Sequence, residues 1–422
     1  MDTAHKKDVV VIGGGIIGLM SAYYLSKKGA QVTVLDKGPK HQASSHANCG
    51  LISPSHIMPL NNIGLILKSL GMLFRKDAAF KIRPQADWAF VTWLLGFLAK
   101  SSPSSIHNGT HGRLALLLSS ASLYKELIAE ENMDCQWTEN GILFVFKTKK
   151  GFEQYKGTDE YTKRFDIQAE PIIGQALLDR EPALKHDIYG AWFYDIDSWL
   201  KPDEIVTALT AHIVNNGGNI VHDTEVTDFE LSGSTISGVI DRNGQKWKAE
   251  KYLLATGAWS PLLSKRLGFK LPIIPGKGYS ITMKSPSVSP KVPCIMMEKK
   301  VVATPWENSY RLGSTMELAG YDEGLNEIRL EALKKGAEDY LIEPYTNEIY
   351  EKWWGWRPMT YDGLPIIDKS PRQSNLWLSC GHSMVGMSMA TGTGKLIAEL
   401  MNGEDSHIPI SPYRYNRFSS RL

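Results

Sequence analysis

Val9-Val10-Val11-Ile12-Gly13-Gly14-Gly15-Ile16-Ile17-Gly18, answered downstream by Val32-Thr33-Val34-Leu35-Asp36, is the stretch that decides the fold. Four consecutive β-branched apolar residues read as a buried parallel strand. The glycine run turns that strand into a helix that carries Leu19, Ala22, Tyr23 and Leu25 and is ended by Gly29. A second strand over 32–35 ends on Asp36. Glycines at 13, 15 and 18 suit a tight turn, close approach of the backbone to a pyrophosphate, and close helix–strand packing. The helix N-terminus adds free N–H groups and a partial positive charge. Asp36, 18 residues beyond Gly18, is placed to accept from a ribose hydroxyl. Strand, glycine turn, helix, strand and acid in register predict a dinucleotide site.

The 422 residues exceed one simple core and predict two domains that interleave along the chain. A net charge of +2, with no long basic run, argues against a nucleic-acid partner. Cys49, Cys135, Cys294 and Cys380 are far apart and show no metal-ligand spacing, and the 11 histidines form no cluster. Reduced cysteines and no metal are expected. The first strand follows directly on Lys6-Lys7, so no secretory leader is expected. No run reaches the roughly 18–20 apolar residues of a membrane span. A cytoplasmic location follows, with peripheral contact at the inner face of the membrane left open.

Beyond Asp36 lies a segment of small and polar residues, 42–50. Leu60–Phe74 and Trp88–Ala99 read as apolar, aromatic-rich helices, and 111–131 as an amphipathic helix with Leu114, Leu117, Leu118, Leu123, Leu127 and Ile128 on one side. Further helices are expected from Pro202 to Asn216 and from Asn326 to Leu341. Strand patterns fall at 141–147, 190–193, 219–222, 224–230, 236–241, 252–257 and between 278 and 315. Asn243-Gly244 marks a hairpin turn. The expected assembly is α/β (α+β overall). A Rossmann-like nucleotide domain is drawn from 1–58, 196–272 and 353–422. A substrate domain of antiparallel sheet plus helices is drawn from 59–195 and 273–352.

Five segments in order carry a resemblance. They are GGGIIG with Asp36; Ser44-Ser45-x-Ala47-Asn48-x-Gly50; Ala255-Thr256-Gly257-Ala258-Trp259-Ser260; Gly355-Trp356-Arg357-Pro358 with Asp362-Gly363-x-Pro365; and Gly381-His382-x-x-x-Gly386 opening the last helix. Over essentially the whole chain this resembles the FAD-dependent amino-acid oxidoreductases of the D-amino-acid oxidase type, most of all the bacterial D-amino-acid dehydrogenases. The resemblance implies non-covalent FAD held by Gly13, Gly15, Ile16, Ile17, Gly18, Asp36, Lys37, Ser44, Ser45, Asn48, Gly50, Leu51, Val226, Thr256, Gly257, Trp259, Gly381, His382, Met384, Val385, Gly386 and Met387. A helix N-terminus near Gly386 would stabilise negative charge on the pyrimidine end of a reduced flavin.

On the substrate side, a planar guanidinium grips a carboxylate with two parallel N–H bonds. Arg357 takes that role by resemblance, unless it is a structural arginine paired with Asp362. Arg311 is a second candidate ligand, Tyr279 a candidate cover, and His382 a residue near the flavin ring with no proton-transfer role. The implied reaction passes hydride from Cα to flavin N5 and leaves an imine, which hydrolyses to a 2-oxo acid and ammonia. Electrons then go to a quinone or another carrier. The same motifs fit an oxygen-using oxidase of glycine, sarcosine or a cyclic D-imino acid (hydroxy-D-proline, D-proline). They also fit a non-catalytic FAD-holding subunit.

Overall fold

The computed structural model describes residues 8–38, 43–60, 80–82 and 87–418. The expected helix Leu60–Phe74 therefore lies, beyond its first residue, outside the described residues. A six-stranded sheet runs Ile366–Lys369, Leu376–Cys380, Lys251–Leu254, β1 (Asp8–Ile12), β2 (Gln31–Leu35), Asn219–Val221. All its pairings are parallel except the outermost one at Ile366–Lys369. Val11, Val32, Val34 and Leu253 are fully enclosed, as a parallel sheet covered on both faces requires.

Helix α1 (Ile16–Lys27) returns over this sheet and lies against the C-terminal helix α4 (Ala390–Asn402). The two backbones come so close that a Cβ on Gly394 would sit 2.7 Å from the Met20 backbone. A separate antiparallel ribbon, Val226–Ser232, Thr235–Asp241 and Lys246–Trp247, turns at Asn243-Gly244, with Gly244 at φ +81°.

A nine-stranded sheet makes the second layer. Its long members are β3 (Ile273–Met283), β4 (Tyr310–Leu318) and β5 (Ile349–Thr360), with β3 between the other two. Beyond β4 follow Val301–Pro305, Cys294–Met296, Ile142–Phe146, Gly190–Tyr194 and Glu170–Ile173. The sheet is largely antiparallel. Cys294–Met296 pairs in parallel with Ile142–Phe146, and so does β4 with Phe80–Ile82. β5 pairs with β3 along its full length, so the boundary expected at 353 falls inside a continuous strand.

Helix α2 (Trp88–Ala99) begins where the sequence pattern placed it, capped by the Asp87 carboxylate. Helix α3 (Pro103–Glu130) starts earlier than expected, behind a Ser102 cap. Its buried face also differs from the expected leucine stripe. Leu118 is exposed, while Gly112, Arg113, Leu116, Leu117, Ser120, Tyr124 and Leu127 are inside. Small residues decide this orientation. Ser120 Oγ accepts from Gly392 N at 2.8 Å, and Thr391 Oγ1 donates to Ser120 O at 2.8 Å, a close approach that the leucine side would block.

Candidate active site

Where the two layers meet lies a cavity of about 1010 Å³. Its size suits a large ligand together with a small one. At one end it is lined by the glycine turn and the segments expected to hold a dinucleotide: Gly13, Gly15, Ile16, Ile17, Asp36, Lys37, Ser44, Ser45, Asn48, Leu51, Val226, Thr256, Gly257 and Trp259. His382, Met384, Val385, Gly386 and Met387 line it as well, and so do Arg357 and Tyr279. Gly18, Gly50, Gly381 and Arg311 are not on its surface.

The glycines divide the work. Gly13 sits at φ +109°, and a Cβ there would fall 2.5 Å from the Ala255 carbonyl. A Cβ on Gly18 would lie 1.8 Å from Gly13 O, so Gly18 packs helix against turn and does not face a ligand. At Gly15 a Cβ would meet nothing nearer than Ser45 Oγ at 3.6 Å, because it would project into the cavity. Gly50 at φ +70° and Gly381 at φ +79° likewise shape the wall from behind: their Cβ atoms would strike Leu200 O at 2.0 Å and Thr360 Cγ2 at 2.6 Å.

Asp36 closes the turn. Its carboxylate accepts from Gly14 N through Oδ2 and from Gly38 N at 2.9 Å through Oδ1. Ser45 Oγ accepts from Ile16 N at 3.1 Å, and Ser44 Oγ donates to Trp356 O at 2.7 Å, tying this loop to β5. Asn48 Oδ1 accepts from Gly50 N at 2.6 Å. The Lys37 ammonium stands 3.7 Å over the Trp259 ring, beside Thr256 and Gly257. Val226 begins the antiparallel ribbon at the cavity's edge.

The last helix starts at Ala390, later than the expected opening at Gly386. Ser383 at φ +53° holds the chain out of helical geometry, and residues 382–388 run along the cavity mostly as turns. His382 is buried, shares a hydrogen bond with Thr393 Oγ1 at 3.0 Å, and is pushed down to about 3 by burial. Burial thus favours the uncharged ring.

Arg357 presents its guanidinium flat against Gly278, where a Cβ would fall 2.4–2.7 Å from the guanidinium atoms. Nη1 donates to Thr315 O at 2.9 Å. No carboxylate pairs with Arg357 among the described residues. Asp362 is gripped by Arg417 instead, Nε to Oδ2 at 2.8 Å and Nη2 to Oδ1 at 3.3 Å, so the alternative pairing with Arg357 does not form. Arg311 lies behind the wall. It donates to Thr282 Oγ1 at 2.8 Å, to His46 O at 3.3 Å and to Asn48 O at 2.7 Å, which anchors the 46–48 segment to the large sheet. Tyr279 borders the cavity along β3, but its side chain is buried in the core with Ile281 and Met283 and its hydroxyl donates to Glu317 Oε2 at 3.2 Å, so it does not stand over the site as the cover expected from the sequence.

The residues present fit a flavin dinucleotide. At Gly15 the space a Cβ would fill is left open at the N-terminus of α1, where no side chain caps the helix, so the backbone can approach a pyrophosphate closely. The cavity also reaches residues that carry no local motif: His56, Arg113, Phe144, Tyr155, Ile295, Lys300 and Val302. Arg113 gave one readable signal, a charge on the buried face of an amphipathic helix.

Comparison with known proteins agrees with this geometry. Residues 8–400 match the family model DAO, described as FAD dependent oxidoreductase. A D-amino acid dehydrogenase of Paramagnetospirillum magneticum is 32% identical over 98% of this chain and 99% of its own. One of Dechloromonas aromatica is 31% identical over 94% of this chain and 97% of its own. Among solved structures, glycine oxidase of Geobacillus kaustophilus superposes with a TM-score of 0.79 at 21% identity, covering 98% and 99% of the two chains. L-proline dehydrogenase of P. horikoshii gives 0.72 at 21% identity, covering 98% of each. Motif register, cavity lining and full-length similarity converge: this chain belongs to the DAO family of FAD-dependent oxidoreductases.

Proposed function

We propose that the protein oxidises a D-amino acid to its imine, which water converts to a 2-oxo acid and ammonia, and that it delivers the electrons to a quinone or another carrier. The observation that carries this reading is Arg357: a guanidinium on the wall of the FAD cavity, backed by Gly278 and Thr315, with no protein carboxylate to neutralise it among the described residues. The D-amino acid dehydrogenases at 31–32% identity support the substrate class.

FAD, held by the glycine turn, Asp36, the 44–51 loop, Thr256, Gly257 and the 382–387 turns, supplies the two-electron acceptor. Arg357 binds the substrate carboxylate and so fixes the direction of the Cα–H bond. Trp356, buried on the cavity wall, helps close the site against water. Cys49 and Cys380 also line the cavity, and burial raises both thiols, Cys380 to about 12. Neither is a thiolate at neutral pH, which supports non-covalent FAD.

A carrier at the membrane surface is favoured by α2. Trp88, Leu95 and Leu98 are 79%, 52% and 51% exposed on one helix face. No helix among the described residues is long and apolar enough to cross a membrane. Such a face can rest in the interface. The test is purified holoprotein with D-amino acids, comparing reduction of a soluble quinone analogue with oxygen consumption. Fast quinone reduction and slow peroxide formation support the dehydrogenase reading; the reverse moves the protein to the oxidases.

A further inference from the structure

Residues 319–326, which join β4 to the helix Glu327–Glu338, lie along an open rim of the cavity. Glu323 and Leu325 of this loop line the cavity, and so does Leu262, from the helix Ser260–Arg266 of the nucleotide layer. Leu325 is 44% and Leu262 51% exposed, so the cavity meets solvent at both.

Tyr321 ties the loop to the nucleotide layer. Its hydroxyl donates to Ala258 O at 2.7 Å. Ala258 directly follows Gly257, and both are on the cavity wall with Thr256 and Trp259. The Tyr321 ring stands edge-on to Trp356 at 5.5 Å, and Trp356 stands edge-on to Trp259 at 5.2 Å. An aromatic bridge therefore runs from the loop, across β5, to the segment 256–259. Lys37, 3.7 Å over the Trp259 ring, is within electrostatic reach of Glu323. At the loop's other side Asp322 stands 3.7 Å from Lys277 Nζ on β3, which roots the loop in the large sheet.

The backbone of the loop is built to turn. Gly320 and Gly324 lie in the left-handed region at φ +68° and +101°. A Cβ on Gly324 would meet nothing within 4 Å, so glycine serves there for its backbone freedom and not for space. The two glycines bracket Tyr321, Asp322 and Glu323 in a loop with no helix or strand of its own. Loops that open for ligands have this make-up.

We propose that this loop is the gate through which FAD enters and leaves the cavity, with Tyr321 as its latch. Both latch contacts join protein to protein, so they form whether or not FAD is bound. Breaking them lowers the barrier to passage in both directions and leaves the affinity nearly unchanged. A residue that only bound FAD would change the affinity instead.

The experiment uses the FAD-loaded protein. Exchange of bound FAD for an excess of radiolabelled FAD gives the release rate, and equilibrium dialysis gives the dissociation constant. Loss of one neutral hydrogen bond shifts an opening equilibrium about two- to tenfold, so Tyr321→Phe should exchange faster by that factor. Tyr321→Ala, which also lifts the ring from Trp356, should exchange at least tenfold faster, with a dissociation constant within about threefold of the natural one. Natural exchange rates in both variants overturn the gate. So does faster exchange matched by an equal loss of affinity, which would make Tyr321 a cofactor contact and no latch. Tyr321→Phe keeps the aromatic packing and decides the matter alone if Tyr321→Ala does not fold.

Discussion

Removing the guanidinium of Arg357 is the perturbation whose effect the structure specifies most closely. The side chain lies on the cavity wall, its Nη1 bonded to Thr315 O at 2.9 Å and its plane against Gly278. No carboxylate pairs with it among the described residues, so on the proposed reading its anionic partner is the substrate. Truncating one member of a charge-assisted bidentate pair in a partly dry site costs about 2–5 kcal/mol. At roughly 1.4 kcal/mol per decade, Arg357→Ala should lower kcat/KM by about 30-fold to several thousand-fold. Lysine should restore only part, because a point charge holds a carboxylate without fixing its plane. Gly278→Ala offers the same test without removing charge: its Cβ would fall 2.4 Å from Nη1, so the guanidinium must move and KM should rise. The assay is steady-state oxidation of the best D-amino acid, with FAD content read from the visible spectrum of each variant. Wild-type turnover by well-folded, FAD-loaded Arg357→Ala would refute the reasoning, since Arg311 is committed behind the wall and offers no substitute.

Asp36→Ala should weaken FAD retention and loosen the turn, since Gly14 N and Gly38 N both lose their acceptor; equilibrium dialysis of FAD checks this. Asp197 is fully buried beside Ser55, and burial raises it from 3.8 to about 7. Because its folded value is the higher one, its contribution is whole below about pH 4 and is lost as pH rises through about 7, with a slope of about 1.4 kcal/mol per pH unit between. Melting temperature should therefore fall over that window beyond any general trend, and Asp197→Asn should flatten the fall. Replacing Trp88, Leu95 and Leu98 together by serine should shift the protein from the membrane fraction to the supernatant of a lysate, with flavin bleaching by substrate unchanged.

The nucleotide half was legible because its signals are local. Strand, glycine turn, helix and acid lie within 8–36, and backbone sterics at Gly13 and Gly18 leave little freedom in how they fold. Arg357 was legible through its Arg-Pro context, although nothing in the sequence distinguished an arginine paired with Asp362 from one left to the cavity; Arg417, far along the chain, decides that. The start of α4 was misplaced because a glycine-rich run reads as a helix opening, while Ser383 in the left-handed region delays it to Ala390. The cavity wall at Phe144 was invisible, because Phe144 is an ordinary strand residue until the large sheet sets it beside Ile295, some 150 residues along the chain, and such a pairing leaves no local pattern. Arg113 was passed over because the leucine stripe, of which Leu117 and Leu127 are indeed buried, drew attention to the apolar residues of that face and not to the charge among them.

The central claim, that FAD in this cavity is reduced by a D-amino acid held through Arg357, is tested most directly by mixing purified enzyme anaerobically with each enantiomer of a panel of amino acids and following the visible flavin band. Rapid bleaching by at least one D-amino acid, absent with its L-enantiomer and strongly slowed in Arg357→Ala, is the predicted result. A flavin that stays oxidised with every D-amino acid, or bleaches equally with both enantiomers, would contradict the account.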